Sequence, residues 1–174
     1  MAVVLLLLLA AEGATIPFIG PLLQPHILIG MLLITPVTLK LGSTGYRFIR
    51  YYAGTPAYVR KGPPPLLLRL LAPGVVLTTI VLFGTGVALL LAGPPSNTLV
   101  LAHKVGFIAW VALMTVHVLA HLLEIPRLAL PDWRSSGPRE AQLAGAGRRI
   151  SALGASIVGG VALALLAVSA GGSW

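Results

Sequence analysis

The chain has 174 residues, 57% of them hydrophobic and 9% charged, with 12 Lys+Arg, 4 Asp+Glu and no Cys. A soluble domain of this size carries about 25% charged residues, so an ordinary soluble fold is excluded. The lack of Cys excludes a disulfide framework, a thiolate metal site and an iron–sulfur cluster held by this chain. The formal net charge of +8 does not point to nucleic acid, because the basic residues sit between apolar runs, where membrane proteins keep them. The expected solvent is a lipid bilayer.

A spanning helix needs about 20 mostly apolar residues. Five such runs are predicted, at about residues 2–19, 22–41, 66–92, 98–123 and 150–170. The fold class is therefore an all-α transmembrane helix bundle in a single domain. Gly20-Pro21, Gly62-Pro63-Pro64-Pro65, Gly93-Pro94-Pro95, Pro126 and Gly171-Gly172 punctuate the runs. Met1 to Ala14 also has features of a cleaved signal peptide, with a short apolar core and small residues at Ala11 and Ala14. Against that reading, it lacks a positive start, and its apolar character resumes through Phe18. The second run is expected to continue as an interfacial helix through Tyr46, Arg47, Phe48, Ile49, Arg50, Tyr51 and Tyr52, where aromatic and basic residues suit the headgroup zone.

Orientation follows from charge. Lys40, Arg47, Arg50, Arg60, Lys61 and Arg69 flank one connection, about residues 42–65; Arg127, Arg134, Arg139, Arg148 and Arg149 occupy the other, about 124–149. Lys104 alone lies on the opposite side. The positive-inside rule places both basic loops in the cytoplasm, with the C-terminus outside the cell (inner or plasma) membrane. The second and fourth helices then both run from outside to inside.

All four His residues lie in or at the edges of apolar runs, where ionisable groups are costly and usually functional. His26 and His103 are each a few residues into a helix that starts outside, so they share a depth near the outer surface. Two imidazoles at one height on neighbouring helices suit bis-histidine ligation of a haem iron. His117 lies 14 residues after His103, and Lys40 lies 14 residues after His26. That interval is close to four helical turns, roughly 21 Å deeper on nearly the same face. His117 is the candidate ligand of a second, inner haem. Opposite it, Lys40 is a candidate ligand; it also has the reach to snorkel, to bind a propionate or to touch a quinone. His121, one turn beyond His117, forms with Glu124 and Lys40 a candidate quinone or proton site. Gly30 and Gly106 lie near one turn below His26 and His103, and glycine leaves room for a flat cofactor or for close helix packing. Gly84 and Gly86 lie at similar depth in the third run.

The His103–His117 interval, with His26 on a parallel helix, resembles the di-haem cytochrome b subunits of membrane formate dehydrogenases and nickel–iron hydrogenases, and the wider cytochrome b561-like group. The similarity covers about residues 22–124. It implies an outer haem b on His26 and His103, an inner haem on His117, and electron exchange between a quinone pool and a redox partner subunit or second copy. The sequence departs from that pattern in two places: Met1 to Ile19 contains no His for the inner haem, and there is a fifth helix.

Three readings stand beside one another. The first is a b-type cytochrome. The second is a metal or proton transporter built on Glu12, His117, His121 and Glu124, although transporters more often show several carboxylates near mid-membrane. The third is an anchor subunit without cofactor. A complete enzyme is not expected, because no nucleotide loop, catalytic triad or soluble catalytic domain is present.

The charge asymmetry makes the topology testable. A reporter fused after Trp174 is expected outside, and one inserted near Ser136 in the cytoplasm. Both on one side would contradict the helix count.

Overall fold

The computed structural model describes residues 2–60, 62–63, 65–92, 97–134 and 146–170. These form α1 (Ala2–Thr15), a 3-10 turn (Ile16–Phe18), α2 (Ile19–Tyr52), a short α3 (Pro56–Val59), α4 (Leu66–Ala92), α5 (Asn97–Arg134) and α6 (Ala146–Ala170). Four stretches are long and apolar enough to cross a bilayer: Val3–Tyr52, Leu66–Ala92, Asn97–His121 and Ile150–Ser169. Large apolar side chains such as Leu70, Leu91, Ile108 and Ile150 face outward. An apolar exterior of this extent calls for lipid rather than water.

The first stretch contains a reversal. Phe18 (φ −123°, ψ 37°) and Leu22 (φ −104°, ψ 15°) leave helical geometry, and Pro17 and Pro21 withhold two backbone N–H donors there. Beyond the turn the chain folds back, so that Glu12 lies against Gly30 and Thr15 against His26. Helix α1 has 14 residues, or roughly 21 Å at the helical rise, which is short of a hydrocarbon core about 30 Å thick. The five full crossings expected from sequence are thus four long apolar stretches plus a short antiparallel companion of α2.

The helices at the other extreme overrun the bilayer. Helix α2 has 34 residues and α5 has 38. The end of α2 carries exposed Tyr46, Phe48, Ile49 and Tyr52. Arg50 lies over Tyr46, and Arg69 of α4 over Tyr52, at 5.9 and 5.3 Å. The connection expected over 124–149 is helical as far as Arg134; Leu, Ala, Glu and Arg are good helix formers that extend α5 once it has begun.

Packing divides the helices into two groups. Helix α6 lies antiparallel along α2: a Cβ at Gly160 would overlap the Leu32 carbonyl, and Gly159 sits against Thr35. Thr35 also donates its hydroxyl proton to the Ser156 carbonyl. Helix α5 lies antiparallel along α4, with Gly74 against Leu113, Gly106 against Val81 and Gly86 against His103. Trp110 Nε1 donates to Thr79 Oγ1 at 2.9 Å across the same interface. Small residues bring the backbones together where lipid supplies no hydrophobic drive. Between the groups, α2 touches α4 over a short stretch, and among the described residues α2 and α5 make no broad backbone contact.

Gly160→Ala is expected to force α2 and α6 apart and cost about 1–3 kcal/mol by overpacking. Gly154→Ala, with open space around it, is expected to be neutral. Thermal unfolding of the two detergent-solubilised variants checks the contrast.

Candidate functional site

His26 lies in the third turn of α2, and His103 in the second turn of α5. Their rings face each other across the gap between the two helix groups, with centroids 6.4 Å apart and planes at 85°. Both side chains are half-buried.

Each ring is held from behind by a threonine on a different helix. Thr15 Oγ1 lies 2.8 Å from His26 Nδ1 and 2.6 Å from the Glu12 carbonyl oxygen. A hydroxyl has one proton. At that distance from a carbonyl the proton must point to the carbonyl, because two bare oxygens would repel. Thr15 therefore accepts from His26, and Nδ1 carries the ring proton. The same reasoning applies to His103. Thr85 Oγ1 donates to its own helix, 2.7 Å from the Val81 carbonyl oxygen, and lies 3.0 Å from His103 Nδ1. His103 is thus also protonated at Nδ1. A neutral imidazole with its proton on Nδ1 has its free lone pair on Nε2, and metal-ligating His residues commonly donate the other N–H in this way.

The back edge of His103 is fixed further by Gly86, whose added Cβ would lie 3.3 Å from Cε1 and 3.8 Å from Nδ1. The Nδ1–Cε1 edge therefore lies on α4, and Nε2 is turned away from it. His26 has a second neighbour behind it, Glu12, whose Oε1 is 3.0 Å from Nδ1. Glu12 Oε2 is buried without a hydrogen-bond partner.

The remaining residues predicted from sequence fall in two places. Gly30 lies under Glu12, 3.1 Å from Oε1 to a built Cβ, and Gly106 packs on Val81. The space above both glycines is filled by protein. Deeper along α5, the His117 and His121 rings stack edge to face at 4.7 Å. His117 Nδ1 is buried without a partner among the described groups, while His121 is exposed. Lys40 of α2 lies within electrostatic range of His117. The Glu124 side chain lies outside the described residues.

Among the described residues, no three His, Asp or Glu side chains converge as a bare metal ion would require. Sequence reasoning missed Thr15 and Thr85. Thr15 meets His26 only because the chain reverses, so no helical interval links them. Thr85 sits between Gly84 and Gly86, and that triplet, at the depth of His103, was the one available signal.

The described part of the chain is an all-helical, multi-pass membrane protein with a paired-histidine centre between two helix groups. No known protein family, characterised protein or solved structure gave a match to the chain.

Thr85→Val would remove the hydroxyl acceptor of the half-buried His103 N–H and leave the Leu82 carbonyl as its partner; it is expected to cost about 1 kcal/mol. Thr78→Val is the control, because the Thr78 hydroxyl bonds only to Gly74 and Val75 of its own helix. Comparison of their thermal midpoints in detergent checks this.

Proposed function

We propose that this protein is a membrane b-type cytochrome that passes electrons between a quinone pool and a redox partner. The observation that carries the proposal is the His26–His103 pair, with rings 6.4 Å apart and both Nδ1 atoms occupied by threonine hydroxyls. The ring spacing supports this reading. With metal–nitrogen bonds of about 2 Å on each side, and a ring centroid about 1 Å behind each nitrogen, two collinear axial imidazoles have centroids roughly 6 Å apart. Haem iron needs only two protein ligands, since the porphyrin supplies the other four. A bare ion would need a larger ligand set, which favours haem over a transported metal ion.

Haem b at this place supplies one-electron redox chemistry. The chain's own residues do the rest. Thr15 and Thr85 fix the tautomer and direction of the two imidazoles. Gly86 leaves room for the Nδ1–Cε1 edge of His103 against α4. The apolar walls of α2 and α5 keep water away. A cofactor-free anchor would have no need to match the tautomers of two histidines across a gap.

The inner cluster extends the proposal. His117 and Lys40 repeat the outer pair four turns deeper, which supports a second haem with His117 on one side and Lys40 or an open position on the other. His121, Lys40 and Glu124 remain the candidates for a quinone or proton site at that depth. In this reading α1 is a fifth, shorter membrane segment folded onto α2, and the protein is oriented in the cell membrane with its C-terminus outside. Its redox partner is a further subunit or a second copy.

Reduced-minus-oxidised spectra with haem quantitation test the proposal. Wild-type protein is expected to hold a low-spin b haem, and His26→Ala or His103→Ala to abolish it. Retention of that haem in both variants, or none in wild type, rejects the outer site. A second haem lost in His117→Ala, with carbon monoxide binding that appears only in Lys40→Met, supports lysine ligation at the inner site. A single haem that is indifferent to His117→Ala removes that site.

A further inference from the structure

Glu12 has the wrong surroundings for a purely structural residue. It is a partly buried carboxyl group in an apolar helix, with its side chain 16% exposed. A charge at this depth is expensive unless an opposite charge accompanies it. No Lys or Arg lies within ion-pair distance of it among the described residues; the one close ionisable neighbour is His26, at 3.0 Å. The hydrogen-bond pattern makes that imidazole an Nδ1–H donor, since Thr15 can only accept from it, and a ring that also ligates a metal through Nε2 is neutral. One carboxyl oxygen lies 3.0 Å from the ring nitrogen, and the other, Oε2, is buried without a hydrogen-bond partner among the described residues. With His26 engaged through Nε2, no side chain among the described residues supplies Glu12 with a cation.

The two histidines are also unequal. His103 is backed by neutral groups, the Thr85 hydroxyl and the Leu82 backbone carbonyl, whereas His26 is backed by a hydroxyl and a carboxyl group. Gly30 gives the carboxyl group room: a Cβ there would lie 3.1 Å from Oε1, a tight contact, and a longer side chain would crowd it further.

We infer that Glu12 is the intramembrane counter-ion of a cationic centre bound through His26, which in the haem reading above is the ferric haem. The inference rests on that reading and assigns a role within it. A ferric porphyrin with two neutral imidazoles carries one net positive charge, and the ferrous form carries none. A carboxylate behind one axial ligand stabilises the charged form, both directly and by drawing on the Nδ1–H so that Nε2 becomes a stronger donor. Glu12 is thus a positioning residue that holds the reduction potential down.

The test is a redox titration, followed by visible spectroscopy, of the full-length haem-loaded protein. Glu12→Gln keeps the shape and removes the charge; it is expected to retain low-spin haem with a midpoint potential above that of wild type. Glu12→Asp is expected to return the potential toward the wild-type value. Thr15→Val removes the hydroxyl and leaves the charge, so its shift is expected to be smaller than that of Glu12→Gln. An unmoved potential in Glu12→Gln, or an equal shift in Thr15→Val, overturns the inference while leaving the haem reading intact. Wild-type protein without haem overturns both. If Glu12→Gln does not retain haem, Gly30→Leu takes its place: its longer side chain takes the place of the carboxyl group and is expected to raise the potential, and a potential at the wild-type value there overturns the inference.

Discussion

A polar group inside a bilayer has no water to turn to, so each must find its partner within the protein. That constraint organises this structure around two threonines. Thr15 and Thr85 each give their proton to a carbonyl of their own helix and their lone pair to a histidine on another. The bonds tie α1 to α2 and α4 to α5 at the same level. They also decide which nitrogen of each ring is left free. Mechanical attachment and ligand chemistry are therefore set by the same two hydroxyls.

The helix groups follow from where glycine permits close approach. Gly159 and Gly160 seat α6 on α2, and Gly74, Gly86 and Gly106 seat α5 on α4. Neither set draws α2 against α5, and across the centre of the bundle the His26 ring meets the His103 ring. Besides the short contact of α2 with α4, the imidazole pair is what joins the two helix groups among the described residues.

The outer and inner levels differ in how their histidines are supported. The outer rings are each held by a threonine, whereas His117 Nδ1 has no partner among the described groups. No described hydrogen bond fixes the tautomer of His117. The inner cluster is also more open, with His121 exposed.

The sequence by itself determined the membrane character, the long apolar helices of α2, α4, α5 and α6, and the common depth of His26 and His103. Apolar run length and helical periodicity are local properties, and both survive in a one-dimensional reading. The 14-residue intervals from His26 to Lys40 and from His103 to His117 were legible for the same reason. Only the tertiary structure decided that α1 is short and folds back at Ile16–Phe18, and that Gly30 faces Glu12 and Gly106 faces Val81. The hydroxyls that orient the histidines, Thr15 and Thr85, also emerged only there. Each of these depends on which face of one helix meets which face of another. That choice is made by close packing and by the search of buried polar atoms for partners, and no spacing along a single helix records it.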